Sequence, residues 1–168
     1  MRGKMIPTRI VVRMTAAIAA GLVGLASPRS GVAQDDKAAV VATIKAFLGA
    51  LSTRDTTVLS AHIDSTTRFT LIRPGPSGSR ITVVRGGDFV QAVARPNQPP
   101  FEEPIRNPVV HVDGDLASVW TEYQVRRGGE VTHCGFDAFH LARLGGKWKI
   151  INVSDSFRPT GCGEAWKD

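Results

Sequence analysis

Only two cysteines, Cys134 and Cys162, and one tyrosine, Tyr123, occur in the 168 residues. Two cysteines without CxxC spacing argue against a structural zinc site. The four histidines, His62, His111, His133 and His140, fall at no metal-ligand spacing, so neither a metal nor a cofactor is expected. A Gly-x-Ser-x-Gly elbow, a Walker loop and a dinucleotide fingerprint are all missing, as is any internal repeat. The apolar run Met14–Ala26 has 13 residues, short of the roughly 20 that cross a bilayer.

Acid is missing from residues 1–33, which hold Arg2, Lys4, Arg9, Arg13 and Arg29. The whole chain has 21 basic and 15 acidic residues; without those five, residues 34–168 carry 16 against 15. The net charge of +6 therefore belongs to the N-terminus, and nucleic-acid binding by the body of the chain is not expected. A basic leader, an uncharged run and then Gly31-Val32-Ala33 make the three-part layout of a secretory signal peptide over 1–33. An uncleaved anchor is the alternative. No cysteine follows the run to take a lipid, and no twin-arginine pair precedes it. The expected product is an exported single domain, 34–168, with no stable membrane anchor after cleavage. Export permits a Cys134–Cys162 disulfide; two free thiols are the other reading.

The hydrophobic share of 42% suits a globular core. Val40, Ile44, Phe47, Leu48 and Leu51 recur at three and four, predicting a helix over Asp35–Ser52 with both aspartates at its start. Short helices are expected over Thr56–Ile63 and Gly87–Ala94, and short strands over Phe69–Ile72 and Ile81–Val84. From Ile105 onward, Asp113-Gly114, Gly128-Gly129 and Gly145-Gly146 separate apolar stretches. Such pairs favour two-residue hairpin turns, which predicts a four-stranded antiparallel meander.

Tight turns also set register. With Gly128-Gly129 as a loop, Trp120 should oppose Asp137, Glu122 oppose Gly135, and Gln124 oppose His133. With Gly145-Gly146 as a loop, Phe139 should oppose Asn152. Trp120, Glu122, His133, Asp137 and Asn152 then share one face, beside Phe139, Leu141, Trp148 and Ile150. The other face should carry Val119, Tyr123, Phe136, Ile151 and Val153. Two apolar faces need two covers, so the second is expected to form a homodimer through the outer sheet face.

The element order and the stretch His133-Cys134-Gly135-x-Asp137-x-Phe139-x-Leu141-x-Arg143, then Trp148, Ile150, Asp155 and Arg158, resemble bacterial proteins of the nuclear transport factor 2-like superfamily. Its cone fold also holds ketosteroid isomerases, scytalone dehydratase and polyketide-cyclase-like proteins. The resemblance covers Asp35 to about Cys162. It implies an α+β cone: a curved antiparallel sheet covered by about three helices. It implies little about activity, because the scaffold serves many functions.

The expected ligand site is Trp120, Glu122, His133, Asp137 and Asn152, taking a small, partly apolar molecule. Asp137 and His133 are the candidate catalytic residues. A carboxylate on a covered face loses water, which raises its pKa and suits a general base. The bland alternatives are an Asp accepting from Ser154 or a helix end, and an ordinary sheet histidine. Three functions follow: a binding protein, a lyase or isomerase of the ketosteroid isomerase or dehydratase type, or a dimeric interaction module with a vestigial cavity.

Overall fold

The computed structural model describes residues 29–96 and 100–167. Most of the expected leader, residues 1–28, lies outside the described residues. Helix α1 spans Arg29–Thr53, beginning earlier than the aspartates suggest. Asp36 is therefore not a helix start. It pairs at 2.6 Å with Arg143, whose guanidinium also meets Asp115 and lies 4.4 Å from the Trp148 ring centre. The stripe Val40, Ile44, Phe47, Leu48 and Leu51 is buried, as its spacing requires. Helix α2, Thr56–His62, is capped by Asp55, which accepts from the Val58 amide at 2.9 Å. Helix α3 is Gly86–Ala94.

The strands are β1 (Ile63–Gly75), β2 (Gly78–Arg85), β3 (Ile105–Asp113), β4 (Leu116–Arg127), β5 (Glu130–Leu144) and β6 (Lys147–Asp155). They form one sheet in the order β2-β1-β6-β5-β4-β3. All neighbours are antiparallel except β1 and β6. The first hairpin is longer than its apolar letters suggest: Arg73, Pro74 and Gly75 continue the strand rather than belonging to the turn. The core lies between the helices and one sheet face. There Phe47, Phe69 and Phe89 stack, with 4.0 Å between the centroids of the last two.

Both Gly-Gly turns form where expected, pairing Arg127 with Glu130 and Leu144 with Lys147. The register then changes. β5 has one extra residue, Thr132, so Val125 pairs with His133, Tyr123 with Gly135, Thr121 with Asp137 and Trp120 with Ala138. β6 has another, Ile151, so His140 pairs with Asn152 and Phe139 with Val153. A one-residue bulge moves every side chain beyond it to the opposite face relative to its neighbour strand. This overturns the expected pairings of Trp120, Glu122 and Gln124 across β4–β5, and of Asn152 with Phe139. It also overturns the expected dimer face: Val119, Tyr123 and Val153 are buried inside the cone, away from Phe136.

Gly135 shows why the sheet accepts Tyr123 on its inner side. The tyrosine lies across the gap left by the missing side chain, and its hydroxyl donates to the Ser156 carbonyl at 2.7 Å. A Cβ at position 135 would stand 2.2 Å from the Ser156 carbonyl oxygen and 2.8 Å from Tyr123 Cε1. Gly135→Ala should therefore cost about 2–3 kcal/mol, because backbone must move to admit the methyl. Urea unfolding of the two proteins checks this; equal midpoints would show that Tyr123 does not need the gap.

Candidate functional site

The concave face of the sheet, with α1 and α3 over it, encloses a cavity of about 330 Å³. This is at the small end for ligand pockets. Much of its wall is apolar, supplied by Phe47, Leu51, Phe69, Phe89, Val93 and Phe139 among others. One region is polar, and each strand that reaches it contributes. β1 brings Arg73, β4 brings Tyr123, β5 brings His133 and Asp137, and β6 brings Asp155. Glu103 comes from the segment before β3, and the half-buried Arg54 and the exposed Arg127 also line the cavity.

Arg73 and Asp155 form a two-point pair at 2.8 and 2.6 Å, and Arg73 Nη1 also donates to the Ile72 carbonyl. The guanidinium lies 5.0 Å from the Phe157 ring centre. Two parallel N–H···O bonds fix both partners in place. Asp137 has no such partner. Its side chain is buried, and its Oδ2 has no hydrogen-bond partner. Thr121, directly opposite, turns its hydroxyl to the Arg106 carbonyl instead, at 2.8 Å. Burial, with the nearby charges of Glu103 and Asp155, holds the Asp137 carboxyl well above the usual carboxylate range. Burial also pushes Glu103 up, to about 7, with Asp155 adding to it and Arg73 opposing. The Tyr123 hydroxyl is raised as well, mainly by burial. His133 is lowered by burial and then by Arg73. Its Nδ1 lies 3.1 Å from Thr132 Oγ1, and its ring packs against Phe157 and edge-on to Tyr123.

Of the five expected ligand residues, the cavity holds His133 and Asp137. These are four apart on one strand, so they are separate parts of its wall rather than a hydrogen-bonded pair. Trp120, Glu122 and Asn152 lie on the opposite face, put there by the bulges at Thr132 and Ile151. Trp120 is 52% exposed and stacks on Phe136. Glu122 binds Arg106 and Asn107. Asn152 donates to Ser154 Oγ. Sequence reasoning missed Arg73, Glu103, Tyr123 and Asp155 as lining residues.

Three helices over a curved six-stranded sheet, with a pocket in the concave face, give the chain the cone fold seen in nuclear transport factor 2-like proteins. Neither a protein-family model nor a curated protein matches the chain. Solved structures do. A Mycobacterium tuberculosis protein of unknown function superposes with a TM-score of 0.66 at 15% identity, covering 80% of this chain and 78% of that one. A Streptomyces avermitilis member of the family, for which dehydratase activity has been suggested, gives 0.58 at 19%, covering 73% and 96%. The association domain of Caenorhabditis elegans CaMKII gives 0.59 at 21%, covering 74% and 98%. At such identities the likeness is one of fold.

The raised Glu103 carboxyl has a consequence for stability. A folded state that holds this proton more tightly than the unfolded chain gains stability below about pH 4.5 and loses it as pH rises through about 7. Glu103→Gln imitates the protonated form at every pH. Its melting temperature should match the wild type near pH 4 and exceed it by several degrees at pH 8, measured by calorimetry. A constant difference across that range would mean that Glu103 titrates as an exposed acid does.

Proposed function

We propose that the protein binds a small, partly apolar molecule in the concave cavity, with Asp137 and Glu103 meeting the polar part of that molecule. The observation that carries this reading is the unpartnered Asp137 Oδ2, buried in the wall of a cavity whose other walls are largely apolar. A buried polar atom without a partner costs roughly 1–3 kcal/mol, a cost that a ligand group bonded to it would offset. The stacked rings of Phe47, Phe69 and Phe89 supply the apolar wall.

A second reading, a lyase or isomerase with Asp137 as general base, is favoured by the same carboxyl. Burial raises its pKa, which makes the ionised carboxylate a stronger base. The neighbour from Streptomyces avermitilis adds the analogy of a suggested dehydratase on this fold. His133, held neutral by burial, is the other candidate base. Asp137→Asn separates the readings, since it keeps shape and removes the charge. For a base, turnover of a true substrate should fall about a hundredfold or more with binding retained. For a binding protein, affinity should change with no turnover to lose. If neither affinity nor turnover moves, Asp137 is structural and the site reading fails.

Export belongs to the same proposal. The basic leader, the 13-residue apolar run and Gly31-Val32-Ala33 support it. So does a disulfide joining Cys134 and Cys162, Cα atoms 5.6 Å apart, which suits an oxidising compartment. The intact mass of protein recovered outside the cytoplasm should correspond to a chain beginning near Gln34. A full-length chain retained in the membrane would overturn it.

A further inference from the structure

Taking the cavity to be a ligand site, as proposed above, we infer that it selects small organic cations: an apolar, ring-bearing body carrying a primary or secondary amine. At the polar end most donors are already committed. Three of the five Arg73 N–H groups already serve Asp155 and the Ile72 carbonyl. Tyr123 spends its proton on the Ser156 carbonyl, so toward the cavity its oxygen offers lone pairs only. Thr121, beside Asp137, gives its proton to the Arg106 carbonyl. Beside the two other Arg73 N–H groups, what remains is carboxyl: the unpartnered Asp137 Oδ2 and the Glu103 carboxyl, which lines the same cavity. Once ionised the two are acceptors only, and an ammonium, with donors and no acceptor, is their complement.

The cavity lining holds three carboxyls, Glu103, Asp137 and Asp155, and three guanidinium groups, of which Arg73 is paired in two-point fashion with Asp155. His133 is neutral near pH 7, and α3 contributes no charged group to the lining. The other two arginines are engaged with other groups: the half-buried Arg54 donates to the Arg95 carbonyl and the exposed Arg127 lies over Phe101. An anionic ligand would face two carboxyls with no uncommitted cation beside them at the buried end. An ammonium would let Asp137 ionise beside Glu103, since burial and the neighbouring acids favour the protonated Asp137 carboxyl in the empty cavity. Binding therefore releases a proton, and affinity for an amine rises with pH until the pair is ionised.

Three probes of like shape test this: 2-phenylethylamine, 2-phenylethanol and phenylacetate, titrated calorimetrically at pH 5.5 and 7.5. At pH 7.5 the amine should bind at least about tenfold more tightly than the alcohol, with phenylacetate weakest. The amine's affinity should fall about tenfold at pH 5.5 while the alcohol's stays level. Titration in buffers of different ionisation enthalpy should show protons released with the amine only. Asp137→Asn should erase the amine's advantage and leave alcohol binding in place. Glu103→Gln should reduce the same advantage, and serves as the test should the Asp137 variant not fold. An alcohol that binds as tightly as the amine, or an amine preference that survives both substitutions, overturns the inference and leaves the cavity reading standing. No binding by any of the three probes overturns the cavity reading itself.

Discussion

The composition of the cavity depends on a single extra residue in β5. Thr132 occupies a bulge between two runs of pairing with β4, and its hydroxyl donates to the Val125 carbonyl, 3.2 Å away. Below the bulge, the Gly128-Gly129 turn dictates the pairing. Above it, every partner shifts by one, so Tyr123 rather than Gln124 faces the interior beside His133. Alternation along a strand has period two, and a single insertion is enough to exchange an entire wall. The exchange is compatible with packing only because position 135 is glycine, which leaves room for the Tyr123 ring.

Once the wall is chosen, its electrostatics follow from which acid has a partner. Asp155 enters the interior through the second bulge, at Ile151, and meets Arg73 on the neighbouring parallel strand β1. That pair is satisfied on both sides. Asp137, two strands from Arg73, is not. An isolated charge in such a place is far more costly than a neutral carboxyl, so the group keeps its proton rather than its charge. The same logic applies to Glu103. The cone thus holds one fixed ion pair and two acids whose protonation responds to whatever occupies the cavity.

Much of the fold was legible because its signals are local and redundant. The α1 stripe repeats at helical spacing over several turns, and the glycine pairs sit at real hairpin turns. The interior positions of β5, His133, Asp137, Phe139 and Leu141, also held together, because they lie beyond Thr132 on one strand and need no cross-strand register to share a face. The site was less legible where two strands had to be aligned. Trp120, Glu122 and Asn152 were assigned to the cavity by counting from a turn, and nothing in the letters Thr132 or Ile151 announces a bulge. Gly135 was the available clue: a glycine within a strand often marks close approach by another group, here the ring of Tyr123. Arg73 was hidden for a different reason. Its neighbours Pro74, Gly75 and Pro76 read as a turn, yet β1 continues through Gly75 at a sheet edge position that tolerates proline.

The outer face of the sheet bears on how such a protein could associate. Cys134 projects there and bonds Cys162, tying the C-terminal segment to β5. Gln124 then donates to the Cys162 and Glu164 carbonyls and accepts from the Trp166 amide. Arg126 donates to the Trp166 carbonyl, and Arg106 lies 4.1 Å from the Trp166 ring centre. These contacts satisfy Gln124, which is fully buried although it faces away from the core. The end of the outer face nearest the Gly128-Gly129 turn is thus covered by the chain's own tail. The cover that a two-sided apolar sheet requires is supplied here from within, over a loop whose closure by the disulfide adds roughly 3–4 kcal/mol. The same face stays exposed at Trp120, Val109, Leu116, Ile81 and Val83, whereas the Val119, Tyr123 and Val153 side chains, buried inside the cone, have no part in it.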